Sequence, residues 1–562
     1  MRTGEPLGFE AVGPVNRGGA FPRLDEEQLA RLRMVGDIVK VAPGDILFQE
    51  GDDSYDFFAI ESGAVTIVRG YGSENRVIVV HEAGRFTGEL NLLSGERAYL
   101  TAIVRDPGTV IQVPIRRFLR FLRNQEDLAN LIFGAYMARR EILIEVGAGA
   151  KVIGSHYSRD TLRLREFLAR NRMPYEWVDL EQDEESEELL RTLGIEPADT
   201  PVVIVAGKTL RNPSNSTLGE ELGLGARGAP PPMCDLVIVG GGPAGLAAAV
   251  YGASEGLDTQ AIDAVAFGGQ ASTSSRIENY LGFPAGISGS ELAERAGLQA
   301  RKFGARLVVP AEAMTIAKED GHYSIGLDTG DVVNGRAVIV ATGARYRKLD
   351  VPDLERFEGN GVYYAATQSE AQMCENNPVL IVGGGNSAGQ AAMFLSRRAS
   401  SCRLMIRGEE LAKSMSRYLI DELDQRPQVE LITCCEVAEL HGDDGLEGVT
   451  VVDRNTGERR ELVVKALFVF IGAAPHTEWM GGLVACDAKG FLLTGREVPR
   501  EDLAAYEEPD HPQFLETSQP GIFAVGDVHA GSVKRVASAV GEGSMAVSLV
   551  HQRLAARVAL PT

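Results

Sequence analysis

The sequence predicts an α/β C-terminal half of two doubly wound, parallel-sheet units, preceded by a β-barrel or jelly roll with helices and by a second, smaller α/β domain. Three observations predict it. Short β-branched runs punctuated by glycines fill Ile38 to Val113, a βαβ order occupies 151–212, and two apolar strands run directly into glycine-rich turns at Gly240 and Gly383.

A chain of 562 residues exceeds what one hydrophobic core organises, so several domains are expected. Residues 1–22, rich in Gly, Pro and Arg without periodicity, read as a loose arm. In 23–147, runs such as Ala64-Val65-Thr66-Ile67-Val68 and Val77-Ile78-Val79-Val80 alternate with turns at Gly44, Gly51, Gly63, Gly84 and Gly95, the signature of a small barrel. Residues 116–146 read as helical, from Phe118, Phe121, Leu122, Leu128, Leu131 and Ile132 at 3–4 spacing. A domain at 148–222 reads strand 151–154, helix 160–171, strand 176–180, acidic helix 184–193 and strand 201–206. Residues 223–232, with three consecutive prolines, read as a linker.

Composition excludes several functions. With 56 basic against 78 acidic residues the net charge is −22, which repels nucleic acid. No apolar run reaches the roughly 18 residues that span a bilayer, and no signal peptide opens the sequence, so a cytoplasmic protein without a membrane partner is expected. Six cysteines, Cys234, Cys374, Cys402, Cys434, Cys435 and Cys486, are sparse, contain no Cys-x-x-Cys and fit a reducing compartment. No metal site is expected.

Asp235–Val239 is a buried-strand run leading into Gly240-Gly241-Gly242-Pro243-Ala244-Gly245 and an alanine-rich helix. The glycines permit a tight turn and close backbone approach, so a pyrophosphate can rest on the helix N-terminus, where N–H groups are unpaired. The next strand ends in Asp263, where a carboxylate can accept from a ribose hydroxyl. Val379–Val382 repeats the grammar with Gly383, Gly385, Asn386, Ser387 and Ala388, but there the second strand ends in Arg407. A guanidinium in that place suits a 2′-phosphate, which favours NADPH, with NADH as the alternative; Lys413 and Arg417 add charge nearby. Two Rossmann-like sites with opposite charges at the acceptor position fit one flavin and one nicotinamide nucleotide.

Further motifs carry a resemblance. Gly268-Gly269-Gln270 with Glu278-Asn279, Ala341-Thr342-Gly343, Phe470-Ile471-Gly472 with Pro475, Gly521 through Gly526-Asp527, and Arg535-Val536-Ala537 follow in the order found in low-molecular-weight thioredoxin reductases, which residues 233–550 resemble throughout. The resemblance implies a FAD domain made of 233–350 and 474–562, with an NADPH domain at 351–473 inserted. It implies FAD contacts from Gly240, Gly242, Pro243, Ala244, Gly245, Asp263, Gly269, Gln270, Asn279, Ala341, Thr342, Gly343, Gly526, Asp527, Arg535, Val536 and Ala537. Asp527 would hold the ribitol chain, and Gln270, Asn279 and Val536 would position the ring. A homodimer is also implied.

The family passes electrons from flavin to thioredoxin through a Cys-x-x-Cys just before the second fingerprint. Here Ala365-Ala366-Thr367-Gln368 stands in that place, and neither Ala365 nor Gln368 can be oxidised. Thr367 through Glu370 reads instead as a helix capping box. No residue is therefore assigned a catalytic role, and Cys374, a lone thiol nine positions beyond Ala365, cannot form the internal disulfide that thiol exchange requires. Residues 151–212 are similar to a glutaredoxin or thioredoxin-like domain, with Thr200-Pro201 in the place of its cis-proline and Ser155-His156-Tyr157-Ser158 where its two cysteines would stand.

Pro43 through Asp52, Phe58 through Gly63 and Phe86-Thr87-Gly88-Glu89-Leu90 resemble the cyclic nucleotide-binding domain. The resemblance places a cyclic nucleotide at Gly88, Glu89, Leu90, Arg97 and Thr101, with Glu89 on the ribose and Arg97 on the phosphate if it folds inward. The expected protein is thus a FAD-dependent NAD(P)H oxidoreductase with a ligand-responsive barrel and a redox protein as acceptor. Two alternatives stand beside it: a one-electron reductase of the ferredoxin-NADP reductase kind, and a non-enzymatic flavin-containing sensor or assembly protein.

Overall fold

The computed structural model describes residues 19–69, 76–182, 195–196, 199–225, 233–274, 276–277, 280–358, 360–364, 366, 371, 374–443, 445–506 and 511–559. The chain divides into two compact units, Met1–Arg227 and Gly228–Thr562. Residues 1–18 of the arm expected at 1–22, the acidic helix at 184–193 and linker residues 226–232 lie outside the described residues, as do Glu278, Asn279, Ala365 and Thr367 through Glu370. The end of the arm is not loose, since Ala20 is buried and accepts from Arg139 Nε.

The first unit opens on an antiparallel five-stranded sheet in the order Asp37–Val41, Thr101–Val113, Phe57–Arg69, Arg76–Glu82, with Ile46–Phe48 beside Thr101–Val113. The two 13-residue strands pair from Phe57↔Val113 to Val68↔Thr101 with register shifts that bend the ladder. Phe57, Ile60, Val65 and Ile67 are buried from one of them and Val104, Val110 and Ile111 from the other, so the bend wraps an apolar interior.

The helical stretch expected over 116–146 is present as two helices, Ile115–Leu122 and Glu126–Glu145. The break falls on Arg123-Asn124-Gln125, and Arg31 holds it by donating to Gln125 Oε1 at 2.7 Å and Asp127 Oδ1 at 2.9 Å. Apolar spacing ran across this break because both helices face the same barrel.

Residues 150–222 add a four-stranded sheet in the order Tyr175–Val178, Ala150–Ile153, Val202–Val205, Lys208–Arg211, with helices Arg159–Arg170 and Asn215–Leu222. Its first pair is parallel and the others antiparallel, and the Thr200–Pro201 peptide is cis. The strand Lys208–Arg211 shows no apolar alternation, and the helix after it carries only Leu218 and Leu222 at helical spacing, too short a signal to read in the sequence.

In the second unit, Arg306–Val308, Thr259–Ile262, Cys234–Val239, Val332–Val340 and Ile522–Ala524 form a parallel array, extended by the antiparallel strands His322–Leu327 and Ala313–Glu319. Helices Pro243–Ser254, Gly289–Phe303 and Val536–Ala559 cover one face, where Leu236, Ala248, Ala337, Phe523 and Val547 bury their side chains. A second parallel sheet, Val362–Tyr363, Ala466–Val469, Pro378–Val382, Ser401–Met405 and Val429–Ile432, carries the other nucleotide fingerprint. The chain enters and leaves this second domain side by side, because Ala344–Tyr346 pairs antiparallel with Ala473–Pro475.

Candidate functional site

Each fingerprint glycine has a distinct steric reason. Gly240 has φ +106°, a left-handed value that a side chain would strain, and a Cβ there would lie 2.3 Å from Ala341 O. At Gly245 a Cβ would stand 1.9 Å from Gly240 O, so helix Pro243–Ser254 reaches its close approach to the strand only without one. Gly242, the N-cap of that helix, has no side-chain cap, and a Cβ there would meet nothing within 4 Å. An open floor beneath unpaired N–H groups is what a pyrophosphate fits.

Asp263 follows strand Thr259–Ile262 as expected, but its carboxylate is already at work on the backbone. Oδ2 accepts from Gly241 N at 2.7 Å, and Oδ1 accepts from Val265 N and Ala266 N at 2.9 and 3.0 Å. It therefore braces the glycine turn besides standing at the ribose position. Gly269 lies against this turn, where a Cβ would sit 2.9 Å from Gly242 Cα, and Gln270 Nε2 donates to Ala344 O. Thr342 Oγ1 donates to His476 O at 2.8 Å, which ties the Ala341-Thr342-Gly343 turn to the returning strand.

The second flavin segment meets the first helix directly: a Cβ on Gly526 would lie 3.1 Å from Ala244 Cβ. Asp527 is half-buried, and burial raises its carboxyl above the usual range, with Lys534 opposing. An acceptor held in that state suits sugar hydroxyl donors. Arg535 and Ala537 are exposed and Val536 half-buried at the start of helix Val536–Ala559. Sequence reasoning missed Glu542 on this helix, whose Oε2 accepts from Gly526 N at 2.6 Å and lies 3.0 Å from His529 Nε2. It also missed Gly543, where a Cβ would fall 2.1 Å from Ala244 O.

The other fingerprint repeats the geometry. A Cβ at Gly383 (φ +143°) would lie 2.2 Å from Phe470 O, while Gly385, the N-cap of helix Asn386–Leu395, has open space and no side-chain cap. Asn386 Oδ1 accepts from Ser416 N at 2.7 Å, Ser387 is exposed and Ala388 buried. Arg407 is exposed after strand Ser401–Met405, with its Nε 3.5 Å from Glu436. Lys413 and Arg417 pair with Glu410 and Asp421, which leaves Arg407 the cation least committed within its own helix or turn. Arg407→Ala is expected to raise KM for NADPH about tenfold and that for NADH less than about twofold. Equal shifts for both would remove Arg407 from 2′-phosphate recognition.

The expected barrel site is differently disposed. Glu89 accepts from Leu90 N and Asn91 N at 2.9 and 3.3 Å and forms a buried pair with Arg140, Nε to Oε2 3.0 Å. Burial pushes its carboxyl up and Arg140 opposes the shift. Arg97 does not fold inward: it holds Asp53 at 2.9 Å and both the carbonyl and the carboxylate of Glu221, at 2.9 and 3.0 Å. Gly88 takes φ +95° beside Tyr136 Oη, and Thr101 Oγ1 accepts from Glu50 N. The five residues share one end of the barrel, yet Glu89 and Arg97 spend their charges on protein partners.

In the smaller domain the two serines are structural. Ser158 caps helix Arg159–Arg170 and Ser155 Oγ accepts from Tyr157 N, while His156 Nδ1 lies 2.7 Å from the buried Asp179. Cys374 lies in the core of the second domain with Val379, Ile381 and Leu404. Burial raises the thiols of Cys234, Cys435 and Cys486 and pushes Cys402 up to about 12. Among the described residues no group of three or more His, Cys, Asp or Glu could hold a metal ion, and no helix is long and apolar enough to cross a membrane.

Comparison with known proteins accords with this geometry. Residues 234–543 match the pyridine nucleotide-disulphide oxidoreductase family, and residues 38–125 match the cyclic nucleotide-binding domain. The thioredoxin reductase of Streptomyces clavuligerus is 32% identical over 323 residues, which is 57% of this chain and 94% of that protein. That of Treponema pallidum is 34% identical over 312 residues, covering 56% and 94%. The solved thioredoxin reductase of Lactococcus lactis is 28% identical with a TM-score of 0.52, covering 57% of this chain and 99% of that one. FAD and NADPH, the cofactors of that family, fit the two cradles. The chain therefore belongs to the pyridine nucleotide-disulphide oxidoreductase family, as a thioredoxin reductase-like, FAD-dependent NAD(P)H oxidoreductase preceded by a cyclic nucleotide-binding domain.

Proposed function

We propose that this flavoenzyme passes electrons from NADPH to an acceptor outside the chain without a dithiol of its own. One observation carries the reading: no two of the six cysteines stand in Cys-x-x-Cys spacing, and Cys374, the one nearest in sequence to the family's redox position, is a core residue packed against Val379 and Leu404. FAD and NADPH supply hydride chemistry when bound. The chain's own part is positional. The uncapped helix at Gly242 and the braced turn at Gly241 hold one pyrophosphate, and the helix at Gly385 with Arg407 holds the other nucleotide. Asp527 takes up sugar hydroxyls, and Glu542 fixes the Gly526 turn that presents it.

The reading includes a cytoplasmic homodimer whose N-terminal barrel answers to a small ligand. Regulation by a cyclic nucleotide requires Glu89 to leave Arg140 and Arg97 to leave Glu221, so the barrel chemistry favours another ligand.

Anaerobic NADPH is expected to bleach the yellow chain within one turnover. The reduced chain is then expected to reduce ferricyanide or a ferredoxin, and not the disulfide of a thioredoxin or of dithionitrobenzoate. Rapid disulfide turnover would overturn the proposal, and a flavin that stays yellow under NADPH would remove electron transfer altogether. A ferredoxin as sole good acceptor would assign the one-electron alternative.

A further inference from the structure

The barrel of the N-terminal unit encloses a cavity of about 490 Å³, its open mouth included, among Phe48, Tyr55, Tyr99 and Leu100. Its walls are mostly aromatic and aliphatic, the usual lining of a small-molecule site in which a few polar groups fix orientation. The groups that would read a ribose phosphate are occupied, Glu89 by Arg140 and Arg97 by Asp53 and Glu221.

One polar group of the lining lacks a partner, His81. It is 2% exposed, it lines the cavity, and its Nδ1 is buried with no hydrogen-bond partner. A buried polar atom without a partner in a native fold calls for an explanation, and an absent ligand is one. Burial first, then Arg139 and Arg85, drive its protonation well below the usual histidine range. The ring is therefore neutral and, with its hydrogen on Nδ1, a donor.

The charges around it do not cancel. Arg139, 5% exposed, donates to the carbonyls of Ala20, Gly88 and Phe86 and has no carboxylate at ion-pair distance among the described residues. Arg85 has its Nε and Nη1 buried and unpartnered, and nearby Glu82 pairs with Arg23 instead. Arg140 shares Glu89 and Glu96, both at 3.0 Å. Both buried carboxylates thus lie with Arg140, while the buried Arg139 and the half-buried Arg85 contribute positive field where charge is weakly screened.

We propose that this cavity binds a hydrophobic monocarboxylate, its carboxylate accepting from His81 Nδ1 in the field of Arg85 and Arg139 and its apolar body among Phe48, Tyr55, Tyr99 and Leu100. A monoanion suits a site whose carboxylates are both held by Arg140 while Arg139 holds only backbone carbonyls. A cyclic nucleotide carries the same charge, but its sugar hydroxyls and purine edge need polar partners, and those in the walls are engaged: Tyr55 donates to Asn91, Tyr99 to Glu96, and Glu89 holds Arg140.

The test is calorimetric titration of the full flavin-loaded chain with phenylacetate, with 2-phenylethanol as its neutral counterpart, and with cyclic AMP. Phenylacetate is expected to bind one per chain, about tenfold or more tighter than 2-phenylethanol. Cyclic AMP is expected to give no displacement. His81→Leu should erase the preference for the acid, and Arg85→Gln should weaken the acid several-fold while leaving the alcohol and the flavin content unchanged. Equal affinity for acid and alcohol, no binding of the acid, or displacement of the acid by cyclic AMP would each overturn the proposal. If His81→Leu does not fold, Arg85→Gln decides alone: unchanged binding of the acid rejects the proposal. None of these outcomes bears on electron transfer in the C-terminal unit.

Discussion

Gly245→Ala is expected to yield a colourless chain. The added Cβ would lie 1.9 Å from Gly240 O and 3.4 Å from Ala341 Cβ, and the first of these is backbone in a buried turn that no rotamer change can move aside. Helix Pro243–Ser254 would have to lift from strand Cys234–Val239, which pulls the uncapped helix end away from the pyrophosphate floor at Gly242. Overpacking of this kind costs about 1–3 kcal/mol in stability. The larger effect falls on the cofactor, because N–H groups displaced by about an ångström no longer aim at the phosphate oxygens; an affinity loss of about 100-fold or more is expected. The measurement is visible flavin absorbance per chain after purification, and the FAD dissociation constant on reconstitution. Gly134→Ala is the control, since Gly134 lies in helix Glu126–Glu145 with nothing within 4 Å of its added Cβ, and it should keep full colour. Wild-type FAD affinity in Gly245→Ala would contradict the packing argument.

The second large effect is expected at Arg553→Met. Arg553 Nε and Nη2 donate to the two oxygens of Glu516 at 2.8 and 2.7 Å, a bidentate pair in which Glu516 is 0% exposed. Glu516 also accepts from Gln513 N and Gly521 N, so the carboxylate organises the loop leading into strand Ile522–Ala524 and the Gly526 turn. Removal of the guanidinium leaves a buried, uncompensated charge, which costs about 3–5 kcal/mol. For a domain of this size that corresponds to a fall in Tm of about 10 °C. The double variant Glu516→Gln with Arg553→Met should recover part of the loss, because the stranded charge is gone. Thermal unfolding of the three chains, followed by flavin release, checks this; a double variant no better than Arg553→Met would mean that packing, not charge, dominates the site.

How much of this was legible in the sequence depends on the range over which each residue acts. The glycines at 240, 242, 245, 383 and 385 recur at fixed spacing within a turn and a helix start, so spacing alone exposed them, although Gly240 and Gly383 also meet Ala341 and Phe470 from far along the chain. Asp263 and Arg407 were legible for the same reason, each ending the next strand. Glu542, Gly543 and Arg553 were not, since they act from a helix far along the chain against the first fingerprint helix and the Glu516 loop, and no short-range pattern marks them. The barrel shows the same division. Its strands could be read from β-branched runs and glycine turns, but Glu89 looked free because its partner Arg140 lies 51 positions away. Arg97 looked available because its partner Glu221 belongs to the following domain. The helix break at 123–125 was hidden by apolar spacing that continues on both sides.

The paired crossing of Ala344–Tyr346 with Ala473–Pro475 has a consequence for biosynthesis. A nascent polypeptide that has emerged through Val340 owns only part of its first sheet: Ile522–Ala524, the neighbour of Val338 through Val340, and the closing helix Val536–Ala559 are still unmade. At about 5–20 residues per second, roughly 10–40 s of translation separate the two halves. During that interval Ala337, Ile339 and the apolar side of Pro243–Ser254 lack their final cover, because Phe523, Val525, Ala546 and Val547, which pack with them in the finished chain, are not yet made.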